Sequence, residues 1–146
     1  MIVGMLNGPN LNLLGTREPQ IYGTATLDDI TVALTGVAAG LGVELRAAQS
    51  NVEGVMIDIL HGWRGVVHGV VVNAGAYTHT SLALRDAFTA TSIPFVEVHL
   101  SNVYARERER HHSMLASAAI GTVTGLGADG YEFALRGLVA ALRRGA

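Results

Sequence analysis

Five short apolar segments recur along the chain, and each is followed by a segment with helical periodicity. The apolar segments cover residues 2–6, 43–47, 66–72, 95–100 and 120–124. Such an alternation favours an α/β fold in which a parallel sheet carries helices on both faces. For five strands we expect the flavodoxin-like order 2-1-3-4-5. No internal repeat or linker interrupts the pattern, so residues 1–146 are expected to form one domain.

Local signals predict where the helices begin and which faces they bury. Thr26 is expected to cap a helix whose first turn carries Asp28 and Asp29. Asn51 is expected to cap the next helix, and further helices are predicted over 80–91 and 128–144. The apolar faces predicted for the second and last helices are Val52, Val55, Met56, Ile59 and Leu60, and Phe133, Leu135, Leu138, Val139 and Leu142.

The composition excludes several kinds of chemistry. The chain has no cysteine, which rules out disulfides, thiolate metal sites and thiol nucleophiles. All ten basic residues are arginine, so neither a lysine Schiff base nor the lysine of a phosphate-binding P-loop is present. The net charge of −2 gives no basic footprint for nucleic acid or an anionic membrane.

The distribution of charge and apolar residues predicts a soluble oligomer. The first six residues lack the basic segment of a signal peptide, and every long uncharged stretch is broken by polar residues or glycine. We therefore expect a cytoplasmic protein without a membrane span. Charged residues make up only 15% of the chain, which leaves apolar surface that an interface between subunits would cover.

Three polar loops are predicted at the carboxyl ends of strands one, three and four, where parallel sheets of this type bind ligands. They cover residues 7–23, 73–81 and 97–112. The first is far longer than the usual strand-to-helix connection. Gly15 and Gly23 bracket its segment with Arg17 and Tyr22, an arrangement expected of a hinged flap. The second loop leads into a helix N-terminus, which favours an anion.

Individual residues in these loops also admit simpler interpretations. A single Tyr22 is more often a surface side chain, and a single His99 is more often a core histidine. His99, His111 and His112 lack a recognised metal-ligand spacing, so no metal is expected. The segment 125–130 fits a dinucleotide fingerprint literally, but it follows the last predicted strand, so a turn is favoured.

A non-catalytic flavodoxin-like binding module is the alternative function. A phosphoacceptor receiver needs clustered acids at the ends of strands one and three together with a lysine, and these are absent. An FMN carrier needs a Ser/Thr/Gly loop after the first strand, where this chain has Pro9, Asn10 and Arg17.

Motifs spread in order along nearly the whole chain resemble a known enzyme family. They include LNGPNLN at 6–12, REP at 17–19, QSNVEG at 49–54, NAGAYTHTS at 73–81, EVHLSN at 97–102 and RHHS at 110–113. Together they resemble the type II 3-dehydroquinate dehydratases. Glu109 departs from an aromatic common in that family, and Ala90 from an acid that some members carry.

The resemblance implies a flavodoxin-like hydro-lyase that needs no cofactor or metal. Its reaction removes a proton next to the ketone of 3-dehydroquinate and expels a hydroxyl as water, giving 3-dehydroshikimate. Without lysine the ketone cannot be activated as an imine, so an enolate must be stabilised by a base and placed donors. The same step serves aromatic amino acid biosynthesis by the shikimate pathway and quinate breakdown, and the sequence leaves both open.

The resemblance further implies five catalytic residues: Tyr22, Arg17, His99, Asn10 and Glu97. Tyr22 would be the base, and a nearby Arg17 would favour its ionised form. Asn10 would hold a water or the enolate oxygen. His99 would protonate the departing hydroxyl, with Glu97 orienting its ring.

The residues implied in substrate binding are Asn73, His79, Asp86, Leu100, Ser101 and Arg110. The substrate carboxylate suits the backbone donors at 100–101, and the ring hydroxyls suit His79, Arg110 and Asp86. In the family the matching aspartate comes from a neighbouring subunit of a dodecamer built from trimers. Arg106 or Arg110 would be the second cation that helps Tyr22 to ionise.

Overall fold

A five-stranded parallel sheet forms the centre of the molecule. Its strands are β1 (Ile2–Asn7), β2 (Glu44–Gln49), β3 (Gly69–Asn73), β4 (Phe95–His99) and β5 (Gly121–Thr124). They are ordered β2-β1-β3-β4-β5, which confirms the predicted flavodoxin-like topology. The register places Asn7 beside both Gln49 and Asn73, so the carboxyl ends of β1, β2 and β3 are level.

The computed structural model describes residues 1–16 and 18–146, and of Tyr22 it describes the main chain alone. The predicted catalytic residue Arg17 and the side chain of Tyr22 therefore lie outside the described residues. Within the described ranges, no helix is long and apolar enough to cross a membrane.

Helices cover both faces of the sheet, as predicted. The described residues form α1 (Pro19–Tyr22), α2 (Leu27–Gly40), α3 (Glu53–Trp63), α4 (Leu82–Thr91) and α5 (Asp129–Arg143). α2 and α5 contribute Leu34, Leu135 and Leu138 to the core on one face. α3 and α4 contribute Met56, Leu60 and Phe88 to the core on the other. Burial of these side chains is the main stabilising contribution to the fold.

One of the two predicted helix caps is present. The Thr26 hydroxyl accepts from the Asp29 amide at 3.1 Å, and the Asp29 carboxylate accepts from the Thr26 amide at 3.0 Å. This reciprocal capping box confirms the start of α2. The cap predicted at Asn51 is wrong, because α3 begins after Val52 without a side-chain cap. Asn51 Oδ1 instead accepts from the Asn10 amide at 2.9 Å.

The third strand begins three residues later than predicted. Gly65 has a φ of 76°, and the amides of Val66 and Val67 both donate to the carbonyl of Trp63. These bonds fold the residues back on the end of α3, so β3 starts at Gly69. Val67 is nevertheless buried, which explains why the apolar run resembled a longer strand.

The predicted apolar faces of two helices are partly wrong. Val52 and Val55 are 57% and 43% exposed, and Phe133 is 53% exposed. Tyr131, two residues before Phe133, is buried in the core instead. These exposed side chains lie on surfaces that the single chain leaves uncovered.

Candidate active site

A cleft lies at the carboxyl ends of β1, β3 and β4, where the topology predicts a ligand site. Asn73 and His99, the last residues of β3 and β4, contribute to it. The lining residues are Pro9, Asn10, Leu11, Leu14, Asn73, Gly75, Ala76, His79, His99, Leu100, Ser101, Val103, Arg106 and Arg110. All come from the three loops singled out in the sequence.

A buried hydrogen-bond network beneath the cleft joins two strand ends to α5. The Tyr131 hydroxyl donates to Asn7 Oδ1 at 2.6 Å and accepts from Asn73 Nδ2 at 3.0 Å. Asn73 Oδ1 accepts from the Gly75 amide at 3.2 Å. Burial raises the pKa of Tyr131, so its hydroxyl keeps the proton that it donates. The network fixes the orientation of the Asn73 side chain in the cleft wall.

Tyr131 and Asn7 have a role that the sequence did not reveal. Asn7 falls within the first motif of the resemblance, but its pairing with Tyr131 spans the two ends of the chain. The available signal was a tyrosine in the first turn of the last helix, outside its predicted apolar face.

Two glycines allow the first and second loops to touch. A Cβ placed on Gly8 would overlap the carbonyl of Ala74, and the Gly8 amide donates to Asn73 O at 2.8 Å. Gly75 has a φ of 56°, and a Cβ there would lie 3.0 Å from Pro9 O. Since only glycine tolerates these approaches without displacement, both positions set the spacing between the two loops.

Asn10 turns the first loop toward the cleft. Its φ of 68° lies in the left-handed region, which asparagine tolerates better than most residues. Its amide bonds to Asn51 Oδ1, and Gln49 Nε2 donates to the same oxygen at 3.1 Å. Tyr77 OH donates to Asn51 O at 2.7 Å. Asn51 therefore ties together the loops after β1, β2 and β3.

His99 is paired with a buried carboxylate. His99 Nε2 lies 2.6 Å from Glu97 Oε1, and the two residues are 9% and 2% exposed. A carboxylate accepts, so Nε2 carries the hydrogen of this bond. Both residues belong to β4, where positions two apart point to the same face. The pair therefore fixes the tautomer and the orientation of an imidazole that lines the cleft.

His79 is held through its other ring nitrogen, Nδ1. Its Nδ1 lies 2.8 Å from the carbonyl of His112, so Nδ1 carries the hydrogen and Nε2 is the acceptor of the neutral ring. Burial lowers the pKa of His79, and the charges of His99 and Arg110 lower it further. The hydrogen bond to the His112 carbonyl and the negative charge of Glu97 raise this pKa in part. His79 stacks against His99 with ring centroids 6.3 Å apart.

Two arginines bring positive charge to the cleft. Arg106 and Arg110 both line it, and Glu107 bridges them through Nε···O distances of 3.5 Å and 3.2 Å. The Glu107 carboxylate accepts from its own main chain and from Arg110, and both lower its pKa. The pair of guanidinium groups gives the cleft a potential suited to an anionic ligand.

The turn after β4 is anchored by its carbonyl groups. The carbonyls of His99, Leu100 and Ser101 accept from Gly125 N, Gly127 N and Thr124 Oγ1 at 3.2, 2.9 and 3.0 Å. In a planar trans peptide the following N–H points opposite to the carbonyl. The amides of Leu100 and Ser101 therefore point away from the loop after β5.

The remaining predicted residues occupy other positions. Asp86 is exposed on α4 and does not line the cleft of its own chain. Ile21 and Gly23, on either side of Tyr22, line a groove that also includes Ser101 and Arg106. In the part of the chain that is described, no three His, Asp or Glu side chains cluster closely enough to hold a metal ion.

Comparison with known proteins assigns the chain to a family. The model of the family described as dehydroquinase class II matches residues 1–139. The chain belongs to the class II dehydroquinase family. This confirms the resemblance found in the sequence.

Relatives in the class II dehydroquinase family match along nearly their full length. A protein of Gemmatimonas aurantiaca named 3-dehydroquinate dehydratase is 79% identical over 142 residues, covering 97% of this chain and 93% of its own. One from Synechococcus sp. (strain CC9605) with the same name is 56% identical over 146 residues, with 100% of both chains covered. The crystal structure of the type II dehydroquinase from Propionibacterium acnes is 42% identical with a TM-score of 0.91, covering 95% of this chain and 96% of that one.

Proposed function

We propose that this class II dehydroquinase is a 3-dehydroquinate dehydratase that eliminates water through an enolate without a Schiff base. The observation that carries the proposal is the buried His99–Glu97 pair, whose imidazole lines one cleft with Asn10, His79 and Arg110. It joins a proton-transfer group to polar and cationic residues that suit a hydroxylated keto-acid. The name shared by the relatives supports the same substrate.

The first step is proton removal from the carbon next to the ketone. Tyr22, as a tyrosinate, takes this proton, and the electrons of the C–H bond move onto the ketone oxygen to form an enolate. A phenol ionises only near pH ~10 unaided, so Arg17 stabilises the anion together with Arg106 or Arg110. Asn10 stabilises the enolate oxygen directly or through a water. The groove that runs from the neighbours of Tyr22 to Arg106 supports this arrangement.

The second step expels the hydroxyl group. As the enolate reforms the ketone, the bond from the β-carbon to the hydroxyl oxygen breaks and His99 gives that oxygen a proton, releasing water. Glu97 holds Nε2, so the other ring nitrogen delivers the proton. Proton transfer from Tyr22 to His99 by way of solvent then restores both groups.

The covalent alternative is disfavoured by the composition of the chain. The sequence has no lysine, so no side-chain amine can form an imine with the ketone. Borohydride added with substrate should therefore leave no adduct on the chain.

Substrate binding uses the polar groups around the two histidines. The amides of Leu100 and Ser101, the Ser101 hydroxyl and the Asn73 side chain bind the substrate carboxylate. These two amides suit that role because the carbonyls of the same peptide units are bonded to the loop after β5, so the N–H groups point away from that loop. Neutral His79 accepts from a ring hydroxyl through Nε2. Arg110 binds a second hydroxyl.

We also propose that the site is completed by a neighbouring subunit of a dodecamer built from trimers, in the cytoplasm, and that residues 1–146 form one catalytic domain. Leu82 is 53% exposed and lies four residues from the exposed Asp86, so both share one face of α4. If a neighbouring subunit packs on this face and covers Leu82, Asp86 would lie against that subunit and could reach its cleft.

Conversion of 3-dehydroquinate by the purified chain tests the function. The product contains an enone, so absorbance in the ultraviolet should rise without added metal or nucleotide and in the presence of a chelator. Enone formation that is lost to the chelator would show that the elimination depends on a metal ion and would contradict the proposed mechanism. A protein without turnover that carries a yellow chromophore would favour a flavin-binding module.

A further inference from the structure

Ser113 makes four hydrogen-bond contacts whose directions can be assigned. Its Oγ accepts from the amides of Leu115 and Ala116 at 3.0 and 2.9 Å. The same oxygen lies 3.0 and 2.8 Å from Oε1 and Oε2 of Glu97. A hydroxyl has one hydrogen and two acceptor sites. Because two amides occupy both acceptor sites, the hydrogen must point at the Glu97 carboxylate.

This arrangement makes Ser113 an obligatory donor to the partner of His99. The hydrogen of this hydroxyl has one available direction, which lies toward the two carboxylate oxygens of Glu97. Glu97 is 2% exposed, so its orientation depends on such partners and not on solvent. The carboxylate is thereby held where Oε1 also accepts from His99 Nε2.

The segment from His112 to Ala116 holds both cleft histidines. His112 provides the carbonyl that accepts from His79 Nδ1, and Met114 N donates to Thr78 O at 2.8 Å. Its next residue, Ser113, bonds the carboxylate that orients His99. One short segment thus fixes the tautomers of two imidazoles with opposite roles.

We propose that Ser113 is a positioning residue for the dehydration, acting through Glu97 to hold His99 in the orientation that delivers a proton to the leaving hydroxyl. This inference rests on the proposed function. Ser113 does not line the substrate cleft, so its effect should fall on kcat and leave KM nearly unchanged.

The test compares Ser113→Ala and the nearly isosteric Ser113→Cys with Thr91→Val. Both Ser113 variants should lower kcat by about 10- to 100-fold, the range typical when a group that orients a reacting residue is lost. Thr91 Oγ1 donates to carbonyls of its own helix, at the end of α4 far from the cleft. Thr91→Val therefore removes a buried hydroxyl without touching Glu97, and its kcat should match wild type.

The split between kcat and KM distinguishes positioning from a general loss of packing. A variant whose cleft is disordered should bind substrate weakly and raise KM, whereas the Ser113 variants should lower kcat at a nearly unchanged KM. Thr91→Val should keep the wild-type values of both.

A double-mutant cycle with Glu97→Gln completes the test. If Ser113 acts through the carboxylate, Ser113→Cys should have little further effect in the Glu97→Gln background. An equal loss of kcat in both backgrounds, or a wild-type kcat in the Ser113 variants, would overturn the inference. If Ser113→Ala fails to fold, Ser113→Cys alone carries this test. A wild-type chain that does not convert 3-dehydroquinate would instead overturn the proposed function.

Discussion

The two cleft histidines are held by different partners through different ring nitrogens. His79 donates from Nδ1 to a carbonyl and sits beside Arg110, a setting that favours the neutral ring. His99 instead donates from Nε2 to a buried carboxylate, which leaves Nδ1 as its other ring nitrogen. In the proposed mechanism, His79 would act as an acceptor and His99 as an acid.

Titration of labelled histidines should give a pKa for His79 below its ordinary value of 6.5. The lowered pKa means that the stability associated with the neutral ring is present above pH 6.5 and is lost as pH falls through the folded-state pKa. Nuclear magnetic resonance can follow the ring, with His79→Asn assigning its signal. A pKa above 6.5 would show that the bond to the His112 carbonyl and the charge of Glu97 outweigh burial and the cations.

Tyr22→Phe keeps the ring and removes only the phenolic oxygen. Turnover should fall by about 10²-fold or more while substrate binding persists, because the base is lost. Arg17→Ala should also be slow near neutral pH and should recover as pH rises toward about 10, where a free phenol ionises. Near-normal turnover by Tyr22→Phe, measured over the same pH range, would place the base elsewhere.

The sequence predicted much of the cleft because topology and residue type act together there. Asn73 and His99 end two strands, and Asn10, His79 and Arg110 lie in loops after strands, so their proximity follows from strand order. Ser113 and Tyr131 were not predicted, because their partners Glu97 and Asn7 are distant along the chain. Such long-range hydrogen bonds have no local signature.

At the scale of elements, the close approach of the first two cleft loops depends on Gly8. Gly8→Ala should destabilise the protein by about 1–3 kcal/mol, because its Cβ would overlap the Ala74 carbonyl. Gly36→Ala is the matched control, since a Cβ there meets nothing within 4 Å. In the interior of α2 that change should stabilise by about 1 kcal/mol.

Thermal and denaturant unfolding of the two glycine variants checks this prediction. Turnover should decline in Gly8→Ala, where the loops must separate, and remain at the wild-type level in Gly36→Ala. Equal stability of the two variants would show that the loops accommodate a methyl group without displacement.

The order of strands and the start of α2 were predictable because apolar runs and a capping box are local signals. The start of β3 was not, because Val67 is buried in the core although it lies in the turn after α3 and precedes the strand. Asn51 has the residue type of a helix cap, yet its oxygen accepts from Asn10 and Gln49. Whether such a side chain caps a helix depends on competition between the helix amides and donors elsewhere in the chain.

At the scale of the whole molecule, exposed apolar side chains point to association. Val52 and Leu82 are 57% and 53% exposed, and on another surface Val32 and Phe133 are 74% and 53% exposed. The predicted apolar faces of α3 and α5 contain side chains that the single chain leaves exposed. Covering this surface in an oligomer would account for it.

Subunit mixing tests whether Asp86 completes a neighbouring site. Asp86→Ala and Tyr22→Phe subunits should each be nearly inactive alone, but a mixed oligomer contains sites that combine intact Tyr22 with intact Asp86. Some activity should return after verified subunit exchange. Without recovery, Asp86 would not be shared between subunits.

Turnover of His99 variants in the assembled enzyme tests the proposed chemistry most directly. His99→Ala removes the acid, and His99→Gln does so while keeping an N–H donor for Glu97, which guards against an unpaired buried carboxylate. Enone formation from 3-dehydroquinate should fall by about 10²–10⁴-fold in both, with substrate affinity by calorimetry near that of wild type. Wild-type turnover by His99→Gln, or no enone from the wild-type chain, would contradict dehydration at this cleft.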